Sequence, residues 1–108
     1  MMTTRTRLCA LLGLAATLAA VAPAIAQSPG EANYKAKCQS CHGADGNPNP
    51  SLAKLMGIKP VSDPDIQKLT PEQMAATVKD GKGKMRPVAG LSDAEIKDVV
   101  AYYRSLKH

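Results

Sequence analysis

The sequence predicts an all-α domain, on three observations. Three short runs carry the signals of a helix start: Ser28-Pro29-Gly30-Glu31, Thr70-Pro71-Glu72-Gln73 and Ser92-Asp93-Ala94-Glu95. In each, a hydroxyl side chain stands three residues before a Glu or Gln, so that each can bond the other's backbone N–H. Apolar residues then recur at helical spacing, most plainly Ile96, Val99, Val100, Tyr103 and Leu106. No stretch alternates apolar and polar side chains as a half-buried strand would.

Ahead of these elements, residues 1–26 read as a removable leader. Arg5 and Arg7 form a basic start, residues 8–22 an apolar run, and Ala24 and Ala26 the small-x-small pattern of a cleavage site. The run is shorter than the roughly 20 residues that cross a bilayer, so it reads as an export signal and not as a membrane anchor. Cleavage after Ala26 leaves a domain of residues 27–108 and removes Cys9. Arg5 and Arg7 leave while all nine acids stay, so the net charge falls from +5 to +3. That mild basicity lacks the clustered excess of a nucleic-acid binder.

The first helix of the domain is expected to use Ser28 as its cap, Pro29 in its first turn and Glu31 to close the box. It runs to about Lys37 and delivers Cys38 at its end. Gly30, Tyr34 and Cys38 share one face. A glycine inside a helix costs about 1 kcal/mol relative to Ala, so Gly30 points to the close approach of another helix. Residues 43–64 show no sustained periodicity, and Asn47-Pro48, Asn49-Pro50, Gly57 and Pro60 read as turn chemistry. A loop this long in a small domain is expected to wrap something. A single helical turn after Pro64 carries Ile66 and Leu69. The second main helix starts at Thr70, presents Met74 and Val78 on one face and stops at Gly81. The third starts at Ser92, with Leu91 and Ile96 placed as a hydrophobic staple.

The chemistry centres on Cys38-Gln39-Ser40-Cys41-His42. Two thiols three residues apart can each form a thioether to one porphyrin edge, and the next residue's imidazole can then reach the iron. A thioredoxin-like pair would sit beside a βαβ pattern, which is missing. Zinc needs four ligands, and His108 at the terminus is a poor one. A disulfide across a two-residue spacer closes too small a loop to stabilise much. One covalently bound haem c is the reading that remains, attached through Cys38 and Cys41 with His42 as proximal ligand. Composition agrees. The domain has 82 residues, no Trp, no Phe and three Tyr, a size at which a protein core alone is marginal. A large apolar cofactor supplies the missing core.

For the opposite face of the iron the residues offer Met56, Met74, Met85, His108 or a lysine. Met74 lies on an apolar helix face, where a Met is ordinarily core filler. Met56, beside Gly57 in the wrapping loop, stays open. Met85 lies in Gly81-Lys82-Gly83-Lys84-Met85-Arg86-Pro87, almost without apolar neighbours. A packing role is hardest to defend there, so Met85 is the preferred axial ligand.

Residues 30–106 resemble the small class I c-type cytochromes of the bacterial periplasm. Gly30 and Tyr34, the Cys38–Gly43 run, the segment leading to Met85, and Val99-Val100-Ala101-Tyr102 each match a part of that family. The resemblance implies a cytochrome c fold: three main helices and haem-wrapping loops, with the N- and C-terminal helices crossing at Gly30 and Tyr102. It also implies that Pro50-Ser51-Leu52 is the family's Pro-x-Leu. The Pro50 carbonyl would then accept the His42 Nδ1–H, a bond that orients the ring, and Leu52 would touch the haem. One departure stands out. The family places Pro directly after the axial Met, whereas Arg86 here precedes Pro87, which alters how the loop is braced.

His/Met ligation raises the haem potential and leaves no open position, so the implied role is a monomeric electron carrier and not an enzyme. A haem enzyme or gas-binding cytochrome with a labile Met85 is the alternative, as is an electron-transfer subunit of a larger oxidase or dehydrogenase. Lys79, Lys82, Lys84 and Arg86, opposed by Asp80, suggest docking to redox partner proteins with an acidic surface. Neither nucleic acid nor stable membrane insertion after cleavage is expected.

Overall fold

The computed structural model describes residues 13–17 and 28–107. The leader's Arg5 and Arg7, its cleavage site at Ala26 and the terminal His108 lie outside the described residues. Within them the chain is helical: α1 Glu31–Lys37, α2 Gln39–His42, α3 Pro50–Met56, α4 Pro64–Gln67, α5 Pro71–Asp80 and α6 Asp93–Ser105. The sole strand-like feature there is an isolated bridge between Lys82 and Met85. No helix among the described residues is long and apolar enough to cross a membrane.

Two of the three expected capping boxes form. The Thr70 hydroxyl accepts from Gln73 N–H at 3.1 Å while Gln73 Oε1 accepts from Thr70 N–H at 2.9 Å. Ser92 and Glu95 do the same at the start of α6, both at 3.1 Å. The box at Ser28 does not form. Gly30, with φ 87°, is the residue that caps α1, and no side chain caps it. The reason is tertiary. A Cβ on Gly30 would lie 2.3 Å from the Asp98 carbonyl oxygen and 2.7 Å from the Val99 nitrogen. Gly30 therefore lets α1 rest directly on the α6 backbone, in a left-handed conformation that only glycine adopts freely. Glu31, released from the box, pairs with Lys35 one turn on, at 2.8 Å.

The long loop holds more helix than its pattern predicts. Asn49 Oδ1 accepts from Ser51 and Leu52 N–H, Pro50 occupies the first turn, and Gly57 at φ 69° ends α3. No residue of α3 is buried, so no apolar periodicity announces it. The loop is fastened elsewhere: Val61 is 1% exposed and donates its N–H to the Gly46 carbonyl at 2.9 Å. The single turn expected after Pro64 is present as α4, capped by Asp63.

Helix α6 organises two core clusters. Ile96 and Val100 join Met74 and Val78 of α5, with Ile66, Leu69, Met85 and Tyr103 packed around them. Val99 faces the other way, onto Tyr34 and Cys38 of the α1 end. Tyr34 is 1% exposed, with its ring 5.2 Å from that of Tyr102 and 6.1 Å from that of Tyr103. Each large side chain of this kind contributes roughly 1.5–3 kcal/mol by leaving water.

Candidate haem site

The end of α1 places Cys38, and the single turn of α2 carries Cys41 and His42 just beyond it. Both cysteines are free thiols. Cys38 is buried against Tyr34 and Val99, whereas Cys41 is exposed. Burial, followed by the neighbouring Cys41, pushes the Cys38 thiol above its usual range. The Tyr34 hydroxyl donates to the Gly43 carbonyl at 2.6 Å, so the residue after His42 is anchored to α1.

His42 is half-buried, and its ring meets Tyr103 edge-on at 5.5 Å. Burial lowers its pKa, which favours the neutral imidazole that a metal requires. Its Nδ1 is out of solvent with no hydrogen-bond partner. The bond expected from the Pro50 carbonyl is therefore not formed. Asn49 and Pro50 start a helix, which turns the Pro50 carbonyl along the helix axis, and Pro50 itself is exposed. Nor do Pro50 and Leu52 reach the cleft described next.

A cleft of about 940 Å³ is lined by Cys38, Cys41, His42 and Met85 together. Its size falls within the range that encloses small molecules and cofactors. Met56, Ile66, Leu69, Thr77 and Tyr103 complete the wall. A smaller recess of about 110 Å³ shares Cys38, His42, Met85 and Tyr103 and reaches back to Met74. Met74 is 7% exposed in the core between α5 and α6, as a filler should be. Of the thioethers considered, Met85 and Met56 thus face the large cleft and Met74 does not.

The Met85 loop is built tightly. Lys82 N–H donates to the Met85 carbonyl at 2.9 Å and Met85 N–H to the Lys82 carbonyl at 3.0 Å. The turn between them needs the positive φ of Gly83, 57°. Downstream, Val88 N–H reaches the Val78 carbonyl at 2.9 Å. Gly81 leaves room for Pro87, whose Cδ would stand 2.8 Å from a Cβ there. The bracing proline thus acts one residue further on than in the family pattern, past Arg86.

Sequence reasoning misses Ile66, Leu69, Thr77 and Tyr103 as site residues. The i, i+3 pair Ile66 and Leu69 is the available hint; Thr77 carries none. Lys37, Lys59, Lys82, Lys84 and Arg86 stand around the cleft against a single acid, Asp65, which Lys59 engages at 2.6 Å.

These residues suit a covalently held haem. The two thiols are free, burial favours the neutral imidazole, the Met85 and Met56 side chains line the same cleft, and its walls are largely apolar. Residues 26–102 match the family model described as cytochrome c oxidase, cbb3-type, subunit III. Cytochrome c4 of Pseudomonas aeruginosa is 38% identical over 77 residues, 67% of this chain and 34% of that protein. The chain spans about a third of the length of this curated relative. Among solved structures, the KustC0563 c-type cytochrome superposes with a TM-score of 0.65 at 30% identity, covering 73% of this chain and 98% of that one. A mutant of Kustc0563 gives 0.64 at 29% identity, over 73% and 99%. The family match covers well over half of the residues and includes almost the whole cleft, from Cys38 past Met85, so the chain belongs to the c-type cytochromes.

Proposed function

We propose that this domain carries one electron on a single haem c, attached through Cys38 and Cys41, with His42 and Met85 as the iron's axial ligands. The observation that carries the reading is the shared cleft, which gathers both thiols, the half-buried imidazole and the Met85 thioether. Bound there, haem supplies a one-electron iron couple, and the protein supplies burial, orientation and exclusion of water. Tyr103 sets the tilt of the His42 ring. Lys82 fixes the Met85 backbone from both its N–H and its carbonyl.

The domain works in the periplasm after loss of residues 1–26 and meets its redox partners through the basic rim of the cleft. Lys79, next to that rim, is partly neutralised by Asp93 at 3.3 Å, so Lys82, Lys84 and Arg86 carry the rim's field. The test is an absorption spectrum of the purified protein, oxidised and reduced, followed by carbon monoxide. A low-spin spectrum with a Met–iron charge-transfer band and slow carbon monoxide uptake supports the carrier. Fast, complete uptake overturns it in favour of a haem enzyme or gas-binding cytochrome.

A second reading is an electron-transfer module within a larger oxidase. The family description names an oxidase subunit, and the chain covers a third of its cytochrome c4 relative. Co-purification of the native protein with membrane subunits would favour the module; isolation as a free monomer would favour the carrier.

A further inference from the structure

One bond ties a residue that lines the cleft to helix α3. Lys84 Nζ donates to the Leu55 carbonyl at 2.8 Å, joining residues 29 positions apart. Leu55 lies in the last turn of α3, where carbonyls have no intrahelical N–H to accept from. The earlier carbonyl of Ala53 is taken by the N–H groups of Gly57 and Ile58. Lys84 serves the Leu55 carbonyl, and a cation is well placed at a helix C-terminus. Leu55 is 68% exposed and α3 has no buried residue, so packing does little to hold this helix against the cleft.

Lys84 is also the residue immediately before Met85. Its own backbone is fixed by the turn that Lys82 and Met85 close around Gly83. The loop's far limb is tied separately, by Lys37 Nζ on the Ala89 carbonyl at 3.2 Å. On the near limb, Lys84 is the side chain that connects the Met85 turn to another element. Arg86 follows Met85 directly and Pro87 comes only after it. Met85 therefore has no rigid ring immediately behind it, and the restraint in front of it matters more.

We infer that Lys84 is a positioning residue for Met85, a strap that holds the thioether-bearing turn against α3 and so sets how readily the iron's sixth position opens. The inference rests on the His42 and Met85 ligation proposed above. Its acceptor is a neutral carbonyl, so the strap acts by geometry and not through net charge.

The experiment is carbon monoxide binding to the reduced holoprotein by stopped flow, with the Met–iron band of the oxidised form recorded alongside. Lys84→Ala is expected to speed binding about three- to tenfold, the factor that one net hydrogen bond supplies, and to weaken the band. Lys84→Arg keeps a donor and should restore the slow rate. Lys54→Ala removes the same charge from α3 itself and should leave the rate unchanged. A wild-type rate in Lys84→Ala overturns the strap. Equal acceleration by Lys84→Ala and Lys54→Ala also overturns it, in favour of a charge effect. A reduced wild-type protein that already binds as fast as Met85→Ala overturns the ligation itself, and the strap with it.

Discussion

Tyr34 and Gly43 are joined by a 2.6 Å bond from phenol to carbonyl, across the turn that carries Cys41 and His42. The phenol is buried, and that burial raises its pKa far above the usual tyrosine range, so it stays a donor at every ordinary pH. Tyr34→Phe keeps the ring packing on Tyr102 and Tyr103 but leaves the Gly43 carbonyl unserved. It should cost about 1–3 kcal/mol, read as a lower denaturant midpoint at unchanged slope. A midpoint equal to wild type would show that the bond adds nothing.

Gly30→Ala meets two obstacles together. The residue sits at φ 87°, and its Cβ would fall 2.3 Å from the Asp98 carbonyl oxygen. The left-handed conformation alone costs roughly 1–2 kcal/mol for a side chain, and the contact requires α1 to move off α6. A loss of more than about 2 kcal/mol is expected, measurable by chemical unfolding; a loss of a few tenths would refute the close crossing.

Met85→Ala should leave the haem covalently attached and convert it to a high-spin form that binds carbon monoxide quickly. Met56→Ala should keep the haem attached and low-spin, with slow carbon monoxide binding, although Met56 lines the same cleft. If the two variants behave the other way round, the thioether ligand is Met56.

Electron transfer with the physiological redox partner should slow as ionic strength rises. Lys82, Lys84 and Arg86 on the cleft rim are the source of the attraction. Between about 10 mM and 1 M salt the screening length shrinks from roughly 30 to 3 Å, which removes long-range steering. A flat rate profile would place docking on another face.

Acid should loosen α6 through Glu95. The Ser92 backbone N–H, then the Ser92 hydroxyl and the Asn33 amide, hold this carboxyl below its ordinary 4.5. A depressed folded pKa means the stabilisation is complete above the unfolded value and is lost as pH falls through the folded one. Glu95→Gln keeps an acceptor for the capping box yet does not titrate. Its unfolding midpoint should therefore change less than that of wild type between neutral pH and the acid side of 4.5. Parallel acid profiles would exclude Glu95 as the titrating group.

Local signals in the sequence are readable where local physics governs them. Thr70 with Gln73 and Ser92 with Glu95 are short-range pairs, and both form. Ser28 fails because Gly30 answers to Asp98 and Val99, 68 and 69 positions away in the chain, which no local pattern announces. Helix α3 is hidden for the opposite reason: it buries nothing, so it has no stripe, and its Asn49-Pro50 cap reads equally well as a turn. Within the site, Cys38, Cys41 and His42 are contiguous and their proximity is automatic. Met85 reaches the cleft through a turn closed by Lys82, a tertiary outcome that spacing alone leaves open. Pro50 and Leu52 rest on resemblance, and they fall on a separate helix of which Met56, not Pro50 or Leu52, lines the cleft.

Helix α3 has a thermodynamic consequence of its own. Elements without buried side chains unfold locally at free energies well below that of the whole domain. With Asn49, Gly57 and Lys84 as its fastenings, residues 50–56 are expected to open at a lower free energy than α1, α5 and α6. Amide exchange should show this, fast along residues 50–56 and slow at Val99 and Val100. Exchange of that pattern would mean that the wall formed by Met56 yields in a small local equilibrium in which the stable core takes no part.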